Sequence, residues 1–132
     1  MKPLKSKSSF FIKKGGELSV SGSAFTELLQ AVLKKGVPIR FRTNGSSMSP
    51  FIKDNDVITL SPLSNTEAQI GDAVAYISPR NKHLVIHRVI GKRKDFFIIK
   101  GDNTIPKAYE VTPKNNILGF VTKVERNGKE LY

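Results

Sequence analysis

The hydrophobic pattern of the chain changes character at Gly36. Before this glycine, apolar residues recur at the spacing of one helical face, at Phe25, Leu28, Leu29, Val32 and Leu33. Lys34 and Lys35 precede the glycine, and cations followed by a glycine are typical of a helix C-terminus. The pattern therefore predicts one helix over residues 23–35, whose apolar stripe packs on a core in preference to a membrane or a partner helix.

After Gly36 the apolar residues fall in short runs that are separated by Gly, Pro, Asn and Asp. These runs predict strands at 39–43, 57–60, 73–77, 83–90, 96–100 and 117–124. Asn127 and Gly128 are typical of a hairpin turn. One helix followed by many strands predicts a single, mainly β domain over 22–132, with a β body over 37–132. The Lys- and Ser-rich residues 1–21 are predicted to form a basic, partly mobile N-terminal segment.

The composition of the chain limits the number of domains and the kinds of site that it can contain. A chain of 132 residues fits one domain. The absence of cysteine excludes disulfides and cysteine-based metal or redox sites, and two histidines with scattered carboxylates do not favour a metal site. We expect no cofactor. The net charge of +11 attracts nucleic acid or anionic surfaces, or it only keeps the protein in solution.

The sequence gives no sign of a membrane-spanning or exported protein. No segment approaches the ~20 apolar residues that cross a bilayer, and the apolar run 10–12 is shorter than a signal-peptide core. We therefore expect a cytoplasmic protein that contacts anionic surfaces weakly at most. The cations are spread along the chain, without a helix-turn-helix or an aromatic platform, so strong nucleic-acid binding is not expected.

Ser47 is the first candidate for chemistry. It lies between Gly45 and Pro50 at the end of a predicted strand. The glycine allows close backbone approach, and the proline ends the strand. Such a turn can project a hydroxyl beside free backbone N–H groups, although a serine needs a neighbouring base to become a nucleophile. Taken alone, a hexapeptide such as 45–50 is more often an ordinary polar turn.

His87 and Asp102 are the other candidates. His87 interrupts the apolar run 84–90, where a histidine is either a buried core residue or a general base. His83 lies closer to the preceding turn and is expected to be exposed. Asp102 follows Gly101 directly after a predicted strand; it is either an ordinary turn aspartate or the acid that orients a histidine.

Six short motifs in this order resemble the catalytic domain of type I signal peptidases and their LexA-like relatives. They are GSSMSP at 45–50, DNDV at 54–57, IGDAVAY at 70–76, HRVI at 87–90, KGDN at 100–103 and ILGFV at 117–121. Together they cover about residues 38–124. The resemblance implies a fold of coiled antiparallel β-sheets with one N-terminal helix, and Ser47 as the nucleophile.

The base identifies the branch that the chain resembles. LexA-like proteins and most bacterial signal peptidases use a lysine, whereas the endoplasmic-reticulum and archaeal type uses a histidine before Arg-Val, as at His87. The Gly-x-Ser-Met around Ser47 is more similar to the LexA-like proteins. Membrane anchoring is typical of signal peptidases, and no membrane helix precedes Ser47 in this sequence.

Two further positions depart from the family pattern. Ala108 stands where the histidine branch has an additional aspartate, so the third member of the triad is expected to be Asp102, with Glu110 or no residue as the alternatives. Gly45 replaces a serine that assists the oxyanion in many signal peptidases. The resemblance then assigns the oxyanion and substrate contacts to backbone N–H groups, Ser46 and Met48.

The sequence thus predicts a serine endopeptidase acting on a peptide or protein substrate. Ser47 attacks the peptide carbonyl, His87 acts as base and then as acid, and Asp102 orients His87. By resemblance, the substrate is an extended peptide docked beside a strand, with small residues before the cut. Two alternatives stay open: a peptide-binding or protein-binding member of the same fold with little or no hydrolysis, and a basic nucleic-acid-binding module.

Overall fold

The computed structural model describes residues 22–132, and the prediction for 1–21 lies outside them. Within residues 22–132 the chain forms one α-helix, α1 (Gly22–Lys34), whose bounds differ by one residue at each end from the prediction, and a short 3-10 helix at Lys114–Asn116. The strands that follow are β1 (Ile39–Arg42), β2 (Val57–Ser61), β3 (Ala73–Ile77), β4 (Leu84–Lys92), β5 (Phe96–Lys100), β6 (Tyr109–Pro113), β7 (Ile117–Arg126) and β8 (Lys129–Glu130). The expectation of a mainly β fold is confirmed.

All eight strands belong to one antiparallel sheet, in the order β1-β2-β7-β3-β4-β5-β6, with β8 paired to β7. The pairing register shifts after Thr59, after Ala75 and after Val89. Such bulges bend the strand that carries them and increase its twist. A single sheet is therefore able to curve around two clusters of buried side chains.

The first core cluster lies between α1 and the sheet. Leu29 and Leu33 of the helix pack there with Phe41, Ile58 and Val121, as the apolar stripe predicts. The second cluster lies under the β3–β4–β5 part of the sheet and contains Val74, Tyr76, Val89, Phe97 and Ile99. Its one hydroxyl-bearing aromatic residue, Tyr76, has no exposed surface and becomes part of the site described below.

An ion pair with a buried carboxylate fixes the turn that leads into β2. Both carboxylate oxygens of Asp56 accept hydrogen bonds from the Arg126 guanidinium, at 2.9 and 2.8 Å, and one of them also accepts the Lys53 N–H at 2.7 Å. Asp56 is buried, but the hydrogen bonds from Arg126 outweigh that burial and hold the pKa of Asp56 below its usual range. The pair ties β7 to the segment that carries Ser47, since Arg126 also donates to the Pro50 carbonyl at 3.3 Å.

Asp56→Asn is expected to lower the melting temperature by at least about 4 °C at pH 7, because it leaves a charge-assisted network incomplete. The folded-state pKa of Asp56 lies below the unfolded value, so its stabilisation is complete above ~pH 5 and is lost as pH falls through the folded pKa. The difference between wild type and variant should therefore shrink in thermal melts between pH 6 and pH 3. Asp95→Asn is the exposed control. A difference that does not change with pH would contradict this account.

Candidate functional site

Ser47 lies exposed in a turn that follows β1. Gly45 adopts a φ of 97° at the start of this turn, a conformation that favours glycine. The Gly45 N–H donates to Asp54 Oδ1 at 2.7 Å, and the buried Met48 anchors the far side of the turn in the first core cluster. The Ser47 side chain is thus held on a braced turn.

The segment that follows β5 fastens the serine turn from the other side. The Asn103 N–H donates to the Ser47 carbonyl at 2.8 Å, and the Asn103 side-chain amide donates to the Ser46 carbonyl at 3.1 Å. A Cβ on Gly101 would lie 2.8 Å from the Ser47 carbonyl oxygen and 2.9 Å from His87 Nε2. Only a glycine allows this close approach without displacing a neighbour.

His87 projects from β4 toward Ser47. Its Nε2 lies 3.1 Å from Ser47 Oγ, which is within the range that a nucleophile and its base require. Burial lowers the pKa of His87 from its ordinary value near 6.5, against the opposing charges of Glu110 and Asp102. The ring is therefore neutral at pH 7, and a neutral ring has one nitrogen free to accept the serine proton. His83 is exposed and directly precedes β4.

The Asp102 carboxylate was expected beside the His87 ring, but it pairs with another residue. Its two oxygens accept hydrogen bonds from the Arg88 guanidinium at 2.8 and 2.7 Å, and among residues 22–132 it makes no hydrogen bond to His87. The reason is strand geometry, because successive side chains of β4 point to opposite faces. Asp102 meets Arg88 on one face, while His87 occupies the other, and a guanidinium holds a carboxylate in a bidentate pair.

Glu110 is the carboxylate that hydrogen bonds connect to His87. Tyr76 Oη donates to Glu110 Oε1 at 2.6 Å, and the same Tyr76 oxygen lies 3.4 Å from His87 Nδ1. Ser78 Oγ donates to Glu110 Oε2 at 2.5 Å. Burial raises the pKa of Glu110, but the hydrogen bonds from Ser78 and Tyr76 and the charge of Arg80 outweigh it and leave that pKa below its usual value.

Tyr76 and Ser78 are site residues that the sequence analysis did not single out. The sequence feature that could have identified Tyr76 is its position within an apolar strand, because a buried tyrosine hydroxyl usually has a hydrogen-bond partner. Glu110 was an alternative for the third triad member only because it follows Ala108 closely.

A cleft of about 440 Å³ opens beside Ser47. Residues of β1, of the turn that follows it and of β4 line the cleft; they include Phe41, Arg42, Met48, Leu84, Val85 and Ile86. No hydrogen bond from the Ser47 N–H to an acceptor is found within residues 22–132. Ser46, which was expected to assist the oxyanion, contributes its carbonyl as an acceptor for Ser49 and Asn103.

Within residues 22–132 no three His, Asp or Glu side chains are grouped so that they could hold a metal ion. In the same part of the chain, no helix has the length and apolar character that a bilayer-spanning helix needs. A scan against protein-family models found no match to the chain, and a search of curated proteins found no significant match.

Proposed function

We propose that the protein is a serine endopeptidase of the signal peptidase and LexA-like type, with Ser47 as nucleophile and His87 as general base. The observation that carries the proposal is the 3.1 Å distance between Ser47 Oγ and His87 Nε2, beside an open cleft. A neutral imidazole within hydrogen-bond distance of an exposed serine is the arrangement that activates a hydroxyl.

The proposed reaction follows the course of acyl transfer. Ser47 Oγ bonds to the carbonyl carbon of the substrate while its proton moves to His87 Nε2. The Ser47 N–H is available to stabilise the resulting oxyanion. The C–N bond then breaks, and the leaving amine takes the proton from His87. A water molecule then gives a proton to His87 and attacks the acyl carbon. The bond between that carbon and Ser47 Oγ breaks, His87 returns the proton to Oγ, and the acid product leaves.

Two strand edges beside the cleft support an extended substrate. β1 is the terminal strand of the sheet, and β4 pairs with β5 only from Arg88 onward. The edge of β4 over 84–87 and the outer edge of β1 are therefore without a strand partner within residues 22–132. An extended peptide can add to such an edge through main-chain hydrogen bonds. By the family resemblance, the residues before the cut are small.

The spatial convergence of three motifs supports the proposed family. Ser47 of the 45–50 motif, His87 of the 87–90 motif and Gly101 of the 100–103 motif come from separate parts of the chain and meet within contact distance. The mainly β fold around them is of the class that the resemblance implies. The departure at Ala108 is accommodated by Glu110, whose carboxylate reaches the site through Tyr76.

The pH profile is expected to reflect the state of His87. Because burial lowers the pKa of this ring below 6.5, the neutral form predominates at pH 7, and kcat/KM should rise with pH through a single ionisation below 6.5 and then stay level to about pH 8. The profile is measured on one cleaved peptide between pH 4.5 and 8.5. A profile whose rising limb is centred above pH 7 would contradict a buried neutral base.

The proposed activity is tested with a library of synthetic peptides of mixed sequence, incubated with wild-type protein and with Ser47→Ala and analysed by mass spectrometry. Wild type should produce new peptide termini with a common preference for small residues before the cut, and Ser47→Ala should produce none. Binding of peptides without new termini would favour the non-catalytic alternative. Identical cleavage by both proteins would reveal a contaminating protease and contradict the proposal.

A further inference from the structure

We propose that Glu110 positions the His87 base through the Tyr76 hydroxyl, which lies between the two and fixes the proton of the ring on Nδ1. The role in catalysis rests on the function proposed above. The effect on the ring itself does not, because it follows from the hydrogen-bond geometry alone. In the usual triad the carboxylate is hydrogen-bonded directly to the histidine. Here the Tyr76 hydroxyl lies between the carboxylate and the ring.

The surroundings of Glu110 keep its carboxylate ionised. Its side chain is only 12% exposed, and it receives hydroxyl donors on both oxygens, from Tyr76 and from Ser78. Arg80 Nε adds a positive charge at 3.7 Å. An ionised carboxylate only accepts hydrogen bonds. Both hydroxyl protons must therefore point at Glu110.

The direction of the next hydrogen bond follows from proton counting. Tyr76 has one hydroxyl proton, and burial together with Glu110 raises its pKa, so the proton stays on the oxygen. Since that proton is used at Glu110, the Tyr76 oxygen can act toward His87 only as an acceptor. The ring nitrogen that faces it at 3.4 Å, Nδ1, must then carry a proton.

A neutral imidazole with its proton on Nδ1 has a free lone pair on Nε2. That nitrogen is the one that lies 3.1 Å from Ser47 Oγ, so the network selects the tautomer in which His87 can accept the serine proton. The same network stabilises the imidazolium that forms afterwards, because Tyr76 accepts from Nδ1–H while the Glu110 charge favours the protonated ring. The remaining charges that act on the ring are Asp102, which favours its protonation, and Lys100, which opposes it.

The test reads the ring directly, by ¹⁵N NMR of histidine-labelled protein at pH 8. His83 signals are assigned by comparison with His83→Gln. Wild type should show His87 protonated on Nδ1. In Tyr76→Phe no acceptor faces Nδ1, and the ¹⁵N shifts should move toward the Nε2-protonated tautomer. In Glu110→Gln the Tyr76 proton is no longer held by a carboxylate, so the shifts should move the same way and the pKa of His87 should fall.

Asp102→Asn is the matched control, because it removes a carboxylate that acts on His87 by charge alone and should leave the tautomer unchanged. Thermal melts establish that each variant is folded. Wild-type protein with His87 protonated on Nε2, or an unchanged tautomer in folded Tyr76→Phe and Glu110→Gln, would overturn the proposal.

The effect of this network on catalysis is measured as kcat and KM for one cleaved peptide. Tyr76→Phe and Glu110→Gln should each lower kcat by about 10–100-fold with little change in KM, because they affect the base and not the cleft. The double variant should be no slower than the slower single variant, since the two residues act as one unit. Equal kcat in all variants would overturn the positioning role. Absence of cleavage by wild type, together with the expected tautomers, would overturn the peptidase proposal alone.

Discussion

Ser47→Ala is expected to lower kcat/KM for a cleaved peptide by about 10⁴-fold or more, and His87→Gln by a similar factor. In the proposed mechanism the two residues, whose Oγ and Nε2 atoms lie 3.1 Å apart, act as a unit, so the double variant should be no slower than either single one. The measurement is steady-state hydrolysis of one peptide from the library, with melting temperatures recorded in parallel.

Ser49→Ala is the matched control for this loss. Ser49 lies in the same turn, and its N–H donates to the Ser46 carbonyl at 3.1 Å, a bond that the substitution retains. Activity should stay within about 2-fold of wild type, as is usual for a substitution outside the reacting groups. Loss of activity in Ser49→Ala, with activity retained in Ser47→Ala, would show that Ser49 is the nucleophile and would contradict the proposed role of Ser47.

Gly101→Ala is expected to lower kcat/KM by about 100-fold while the protein stays folded, since a shift of ~1 Å between reacting groups costs that much. The added Cβ would lie 2.8 Å from the Ser47 carbonyl oxygen and 2.9 Å from His87 Nε2. Real Cβ atoms do not approach so closely, so the serine turn and the base must move apart. The measurement is kcat/KM with a thermal melt on the same preparation.

Gly91→Ala is the control for the backbone effect of losing a buried glycine. The three atoms nearest to its Cβ would belong to the Ile98 side chain, the closest at 3.0 Å, and Gly91 lies beyond the part of β4 that carries His87. We expect a modest loss of stability with unchanged kcat/KM. If both glycine variants lost activity to the same extent, the close approach at Gly101 would have no special role.

Much of the fold followed from local patterns. The 3.6-residue spacing at Phe25, Leu29 and Leu33 predicted the helix because the same face packs on the core. Most strands were visible because one or both of their faces are buried. β6 was missed, because its apolar Tyr109 and Val111 are about half exposed and it ends in Pro113, as suits a strand at the edge of the sheet.

The site was less accessible to sequence analysis. Ser47 and His87 were paired through the order of the family motifs, since nothing in the local sequence fixes a distance between two strands. Asp102 was expected to approach the His87 ring, but the alternation of β4 places Arg88 on the face that Asp102 reaches, and its carboxylate pairs with that guanidinium. The link from His87 to Glu110 depends on the Tyr76 hydroxyl, a contact between three strands that only the folded register creates.

The most direct test of Ser47 as the activated nucleophile uses a peptide boronic acid that carries the residues before the preferred cut. A boronate that bonds to an activated serine becomes tetrahedral and imitates the transition state, so it should bind at least about 100-fold more tightly than the corresponding carboxylic acid. The ¹¹B NMR shift and the Kd are measured with wild type and with Ser47→Ala. Tetrahedral boron and tight binding are expected with wild type only; trigonal boron in the wild-type complex, or equally tight binding to Ser47→Ala, would show that Ser47 is not an activated nucleophile.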